Sequence, residues 1–230
     1  MNSFRLDNVP FQIDFANLCK TLRVKEGSRQ IEQLKEMVDE AEAVGRPKAI
    51  YQEAFIDSKG DDHVVIQGIR FTSRVMRVNL DKVYRVFAYV ATCGLDLEEW
   101  SKKFADILEK YYADVIKETV LRMTFRRLNE NLTEQTGIAQ LARMNPGSLA
   151  DWPLSEQKGL FTLLGEGPQS IGIQLTDSFL MLPIKSVSGI WFPSQTTYEN
   201  CQLCPREKCP GRRAPYDRDL YDKKYSKKKE

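Results

Sequence analysis

The spacing of apolar residues between positions 28 and 44 is the strongest structural constraint in this sequence. Apolar side chains recur there every three or four positions: Ile31, Leu34, Met37, Val38, Ala41 and Val44. This period places them on one face of an α-helix. Ser28 is a suitable N-cap, and Gly45 followed by Pro47 ends the pattern. The sequence therefore predicts an amphipathic helix over these residues.

Two short runs rich in β-branched and aromatic residues follow, at 48–56 and 63–71, on either side of the polar stretch 57–62. This arrangement predicts a β-hairpin. Helical spacing then returns in residues 80–92, where one face carries Val83, Val86, Phe87 and Val90. A second helical stretch covers residues 95–131, either as one long helix or as two.

Gly94 separates these two helical stretches, and Asp96 is a plausible cap for the second. From residue 138 a short apolar run reaches Arg143, a Pro-Gly loop follows, and helical spacing covers 154–164. Three strand-like runs come next, at 171–175, 179–182 and 186–192. Strands and helices do not alternate regularly, which disfavours a doubly wound parallel sheet and predicts an α+β fold.

Charge and cysteine usage narrow the class of protein. The 34 basic and 32 acidic residues give a formal charge of +2, and the basic residues are spread among carboxylates, so we do not expect a nucleic-acid partner. No apolar run reaches membrane-spanning length, and residues 1–15 do not resemble a signal peptide. Five cysteines, an odd count, favour reduced thiols. We expect a soluble cytoplasmic protein.

The residues needed for several common kinds of catalysis are missing. His63 is the single histidine, so no Ser-His-Asp set can be assembled. The stretch 165–168, Gly-Glu-Gly-Pro, lacks the Gly-Lys that would complete a phosphate-binding loop. An ordinary hydrolase or kinase is therefore disfavoured, and we predict no catalytic residue in this chain.

The stretch after residue 142 has features suited to an anionic ligand. Arg143 can hold a carboxylate in a two-pronged contact, and Gly147 permits close approach of a ligand to the backbone. A helix predicted to begin near Asp151 and Pro153 offers unpaired N–H groups. The alternative is a tight turn with a surface arginine.

Four ordered motifs in this part of the chain resemble the activation-domain family of vitamin B12-dependent methionine synthase, and most closely its free-standing members. The motifs are Arg-x-x-Pro-Gly at 143–147, Asp-Trp-Pro-Leu-x-x-Gln at 151–157, Ile-Gly-Ile-x-Leu-Thr-Asp-Ser at 171–178 and Met-x-Pro-x-Lys-Ser-Val-Ser-Gly at 181–189. The resemblance is dense from about Ala113 to Trp191 and weaker back to Ile31.

This resemblance implies a single α+β domain, with an antiparallel sheet and surrounding helices, over residues 1–200. Residues 201–230 then form a cysteine-rich segment and a charged, partly disordered tail. The resemblance also implies S-adenosylmethionine as ligand. In the synthase, cobalamin that has oxidised to cob(II)alamin is reduced, and S-adenosylmethionine bound by this domain methylates the cob(I)alamin.

The family's ligand-contacting positions correspond here to Glu118, Arg143, Pro146, Gly147, Ser148 and Trp191. By this resemblance Arg143 grips the ligand's carboxylate, the Pro-Gly loop lines the ligand, and Glu118 attracts its ammonium or sulfonium. Trp191 lies near a family tyrosine and can face a cation. Alternatively, Glu118 is a solvated helix charge and Trp191 a core aromatic. Ser148 departs from the family, which usually has tyrosine there.

Three cysteines within nine positions, Cys201, Cys204 and Cys209, have a spacing that can bind Zn²⁺ or an iron-sulfur cluster. A fourth ligand would come from Cys19, Cys93, a non-cysteine group or a partner. The alternative is a set of uncommitted reduced thiols in a loop. Cys93 on its own is expected to be a buried small residue.

These observations favour an accessory protein of a cobalamin-dependent methionine synthase or methyltransferase system, acting in methionine biosynthesis. It would bind S-adenosylmethionine and help to reactivate cobalamin on a separate methionine synthase or corrinoid methyltransferase. No Asp-x-His-x-x-Gly motif is present, so a partner protein must carry the corrinoid. The alternative is a non-catalytic interaction or metal-binding module. An independent methyltransferase is disfavoured because no general base and no Rossmann glycine turn are found.

Overall fold

The computed structural model describes residues 3–25, 27–195, 198–209 and 211–226. Within these residues the fold is built on an antiparallel sheet of seven strands, in the order β4-β3-β2-β5-β9-β6, with β1 paired to the first half of β2. The sheet strands are β1 (Ser3–Leu6), β2 (Lys48–Lys59), β3 (His63–Ile66), β4 (Ile69–Thr72), β5 (Arg85–Thr92), β6 (Leu141–Met144) and β9 (Ser186–Pro193). A separate hairpin joins β7 (Gln174–Leu175) and β8 (Met181–Leu182).

Helices surround this sheet. They are α1 (Phe15–Leu22), α2 (Arg29–Val44), α3 (Arg74–Asn79), α4 (Leu95–Ser101), α5 (Ile107–Thr136), α6 (Gln157–Leu164) and α7 (Gly167–Ser170). Short 3₁₀ turns cover Leu154–Glu156 and Asn200–Gln202, and a π-helical turn covers Tyr221–Tyr225. Among the described residues, no helix is both long enough and apolar enough to cross a bilayer. The predicted α+β class with an antiparallel sheet is confirmed.

The sheet separates two hydrophobic cores. On one face, apolar residues of α1, α2, α4 and α5 pack on the sheet. On the other face lie α3, α6 and the aromatic residues Tyr198 and Tyr225 from the C-terminal part of the chain. Central strand β5 contributes to both cores, because alternate side chains of a strand point to opposite faces.

The predicted helix over residues 80–92 is wrong, since most of it is strand β5. Seven of the eight residues of β5 are buried, so the strand is apolar on both faces and shows no alternation with polar residues. Its apolar residues also happen to match helical spacing. Pairing with β2 and β9 on either side decides the structure in favour of a strand.

Other sequence predictions agree better with the structure. Helix α2 begins after Ser28 and ends before Gly45, as predicted. The region predicted as one helix or two consists of two, with Gly94 and Asp106 at the N-cap positions instead of Asp96. The second arm of the predicted hairpin is divided between β3 and β4 by a turn at Gln67 and Gly68, which both have positive φ.

The described part of the chain after residue 197 packs against the body through Tyr225, whose side chain is fully buried. The Tyr225 hydroxyl donates to Asn79 Oδ1 at 3.0 Å, and Arg74 Nε donates to the Tyr225 carbonyl at 2.9 Å. The turn Tyr221–Tyr225 is therefore anchored near α3. The predicted domain boundary at residue 200 stays a prediction, and residues 227–230 lie outside the described residues.

Candidate functional site

A cavity of about 470 Å³ opens beside β6 and α5. Its volume falls within the range of small-molecule sites. One side, which we call the body wall, is formed by Glu118, Leu121, Arg122, Phe125, Arg143, Asn145 and Val187. The other side, the C-terminal wall, is formed by Gly211, Arg212 and Arg213. Four guanidinium groups and one carboxylate thus line the cavity, which favours an anionic group in its ligand.

Arg143 extends from β6 into this cavity from a partly buried position. Its guanidinium lies over the Phe125 ring, 4.7 Å from the ring centre. Burial lowers the pKa of Arg143, and the nearby charge of Arg213 also lowers it. Within the described parts of the chain, no hydrogen bond or ion pair joins the Arg143 side chain to another residue. A partly buried cation without such a partner is suited to bind an anion.

Glu118 faces the same cavity from α5. Its carboxylate accepts from Arg122 Nε at 3.0 Å and lies 3.6 Å from Lys185 Nζ. Lys185 also pairs with Asp114 at 3.0 Å. Glu118 is therefore partly neutralised by the exposed Arg122 and the half-buried Lys185, and it remains able to contact a cationic group in the cavity.

Behind Arg143 the body wall rests on a rigid hydrogen-bonded unit. Asn145 Nδ2 donates to the Tyr89 hydroxyl at 2.6 Å and to the Ser188 carbonyl at 2.8 Å. Burial raises the pKa of Tyr89 to about 12. A Cβ at Gly189 would lie 2.4 Å from the Met144 carbonyl, so only glycine permits this close approach of β9 to β6. The strand that carries Arg143 is thus held in one position.

The C-terminal wall is held by polar contacts. Arg212 donates to the carbonyls of Cys201 at 2.9 Å, Cys204 at 3.1 Å and Ala214 at 3.2 Å, and also to that of Arg206. These bonds fold the cysteine-rich segment around one guanidinium. Sequence reasoning missed Arg212 and Arg213, because the only signal was an Arg-Arg pair within a charged tail.

The sequence matches, over residues 84–209, the family described as vitamin B12 dependent methionine synthase, activation domain. The match covers more than half of the chain. This chain belongs to that family. No curated protein sequence is similar enough to count as a match.

A solved structure supports the activation-domain fold. The chain is similar to the "MetH Reactivation Domain bound to AdoHcy" with a TM-score of 0.61 and 18% sequence identity, over 86% of this chain and 81% of that one. At this identity the likeness concerns the fold. The predicted activation-domain fold, with its antiparallel sheet and helices, is therefore confirmed.

In this activation domain the cavity brings together only part of the predicted site. Glu118 and Arg143 line it, whereas Pro146, Gly147 and Ser148 are not among the lining residues. Pro146 is buried, and Gly147, at φ 79°, donates its N–H to the Trp152 carbonyl at 2.8 Å. Ser148 is exposed to solvent. The roles predicted for these three residues stay predictions.

Trp191 lies behind the cavity. It is only 2% exposed, and its ring stacks on Tyr89 at 3.9 Å and on Phe125 at 5.1 Å between ring centres. Trp191 also pairs directly with Arg143 across β9 and β6. Its position corresponds to the core-aromatic alternative, and it influences the cavity through Phe125.

The carboxylate of Asp151 has a structural role that the sequence did not indicate. It accepts from the Ser73 hydroxyl and from the backbone N–H groups of Arg74 and Val75, at 3.2 and 3.0 Å. It therefore stabilises the N-terminus of α3, a different helix from the one it precedes in sequence. Trp152 is buried against Phe71 in an edge-to-face contact.

The cysteines do not form a metal site in this structure. Cys201, Cys204 and Cys209 are free and partly exposed, and no group of three or more His, Cys, Asp or Glu residues in the described ranges is arranged to hold a metal ion. The predicted zinc or iron-sulfur site is therefore not supported. Cys93 is fully buried, as expected, and burial raises the pKa of its thiol to about 12.

Proposed function

We propose that this protein binds S-adenosylmethionine and serves in the reductive methylation of cobalamin on a separate methionine synthase or corrinoid methyltransferase. The observation that carries the proposal is the cavity that Arg143 and Glu118 share. Membership of the activation-domain family supports a role in cobalamin reactivation. The likeness to a reactivation domain bound to AdoHcy supports a ligand of the same kind.

The residues of the cavity fit the ends of such a ligand. Arg143 would hold its carboxylate in a charge-assisted contact, and Glu118 would attract its ammonium or sulfonium group. When bound, S-adenosylmethionine supplies the methyl group that the cobalt accepts. The protein's own residues bind and orient the donor, and none of them is proposed to move a proton.

The corrinoid would come from a partner, such as a corrinoid-binding protein or other methionine synthase modules. The chain contains one histidine and no Asp-x-His-x-x-Gly sequence. The methyl donor and the cobalt would therefore meet across an interface between two proteins. We place this system in the cytoplasm and in methionine biosynthesis.

Calorimetric titration with S-adenosylmethionine tests the proposal. Arg143→Ala should weaken binding by about 10- to 100-fold, because a charge-assisted hydrogen bond to a carboxylate contributes roughly 1.5–3 kcal/mol. Arg126→Ala is the matched control, since Arg126 is an exposed arginine of α5 outside the cavity lining. Equal binding by both variants and wild type would contradict the assigned role of Arg143.

The second candidate is a non-catalytic interaction or metal-binding module that has lost S-adenosylmethionine binding. The exposed Ser148, where the family usually has tyrosine, favours it because the aromatic side chain is absent at that position. Its metal-binding form has no ligand set within the described residues. Well-folded wild-type protein that gives no binding heat with S-adenosylmethionine would favour this candidate.

A further inference from the structure

Arg213 lies in the C-terminal wall and lines the same cavity as Arg143. Its Nη2 and Nε contact a single carboxylate oxygen of Glu199, at 2.6 and 2.7 Å. Glu199 therefore neutralises Arg213, whereas Arg143 has no ion pair among the described residues. Of these two guanidinium groups, which line the cavity from different walls, the Glu199 carboxylate pairs only with that of Arg213.

The backbone around Arg213 is positioned by its neighbours. Arg212 binds the carbonyls of the cysteine-rich segment, as described above, and fixes the chain directly before Arg213. The Arg213 N–H points to Cys201 Sγ at 3.4 Å. The side chain of Arg213 is thus presented to the cavity from a folded segment, and its exposed fraction of 37% leaves it accessible to a ligand.

We propose that Arg213 is a second ligand-binding residue, which together with Arg143 clamps the carboxylate of an amino-acid-bearing ligand and selects such ligands over those that lack it. Two nearby guanidinium groups repel each other unless an anion lies between them. A ligand carboxylate satisfies both groups and replaces Glu199 as the partner of Arg213. The inference rests on the proposed function for the identity of the ligand.

The test compares two ligands by calorimetry: S-adenosylmethionine and 5′-methylthioadenosine, which shares the adenosine but has no carboxylate. Arg213→Ala should weaken binding of S-adenosylmethionine about tenfold and change binding of 5′-methylthioadenosine by less than about twofold. Glu199→Gln keeps the side-chain shape and removes the competing charge, so it should strengthen binding of S-adenosylmethionine about threefold. Arg126→Ala serves again as the control.

Three results would overturn the inference: unchanged binding of S-adenosylmethionine by Arg213→Ala, equal losses for both ligands, or weaker binding by Glu199→Gln. The last two would indicate that Arg213 only supports the fold of its segment. A structural role alone would not produce opposite effects of the two variants.

A wild-type protein that binds neither ligand would contradict the proposed function, and Arg213 is then tested with sulfate. The measurement is the rate of Cys201 alkylation by iodoacetamide, followed by peptide mass spectrometry. Sulfate bound between Arg143 and Arg213 should slow the alkylation of Cys201 at least about twofold in wild type, because the Arg213 N–H lies 3.4 Å from Cys201 Sγ. It should not slow the alkylation in Arg213→Ala or Arg143→Ala. Equal rates with and without sulfate in wild type, or equal slowing in the variants, would overturn the inference.

Discussion

The two walls of the cavity are built in different ways. The body wall lies on the stacked rings of Tyr89, Trp191 and Phe125, within one of the two hydrophobic cores. The C-terminal wall is held near the surface by hydrogen bonds that Arg212 donates to backbone carbonyls and by the ion pair of Arg213 with Glu199. Apolar burial stabilises a structure far more than exposed ion pairs do. One site therefore combines a rigid half with a half that is easier to displace.

Removing the ring behind the body wall should have the largest effect. Trp191→Ala leaves a cavity between Tyr89 and Phe125 and should lower the free energy of unfolding by about 3–5 kcal/mol. Chemical denaturation followed by circular dichroism measures this loss. Tyr84→Ala is the control, because Tyr84 is 79% exposed and its loss should cost no more than about 0.5 kcal/mol. A loss of less than about 1 kcal/mol in the free energy of unfolding for Trp191→Ala would mean that the stacked rings do not stabilise the body wall.

Releasing the segment that follows the C-terminal wall should have a more local effect. Tyr225 is fully buried and lies next to α3, where Arg74 Nε donates to its carbonyl. Tyr225→Ala should undock this segment and raise the rate of tryptic cleavage within residues 206–224 about tenfold, while the rest of the fold persists. Tyr216→Ala, at an exposed tyrosine of the same segment, is the control. Loss of the whole fold in Tyr225→Ala would contradict the distinction between the two walls.

The same contrast explains what the sequence could predict. Arg143 and Glu118 belong to the body, where ordered motifs carry the family resemblance, and the structure places both in one cavity. Arg213 reaches that cavity only through the path of the chain after Glu199, which depends on contacts distant in sequence. The role of Asp151 could not be predicted from the sequence either, since its carboxylate stabilises a helix more than seventy positions away in the chain.

The prediction of secondary structure from the sequence failed at one central element for a related reason. Strand β5 is buried on both faces, so its sequence carries no polar alternation to distinguish it from a helix. Helix α2 has one polar face, and its period identified it correctly. Periodicity is informative for elements that face water on one side, and much less so at the centre of the fold.

The pH dependence of the free energy of unfolding should reveal the burial of Tyr89 behind the body wall. We expect this effect to be smaller than those of the two substitutions above. The pKa of Tyr89 is raised to about 12 in the folded protein, so the folded state keeps this proton when the unfolded chain has lost it. This contribution of Tyr89 to the free energy of unfolding is fully present below pH 10, and it should fall by about 1–2 kcal/mol as the pH rises from 10 to 12.

Denaturation of wild type and Tyr89→Phe over this pH range isolates that contribution. The difference in unfolding free energy between the two should shrink as the pH rises, because phenylalanine does not titrate. Tyr84→Phe is the control, since Tyr84 is 79% exposed. A difference that stays constant with pH would contradict the burial of the Tyr89 hydroxyl behind Arg143.

A crystal structure of the protein soaked with S-adenosylhomocysteine tests the central claim most directly. We predict that the ligand occupies the cavity between the two walls, with its carboxylate about 3 Å from the guanidinium of Arg143. Density for the ligand elsewhere, or its carboxylate turned away from Arg143 within the cavity, would contradict the account.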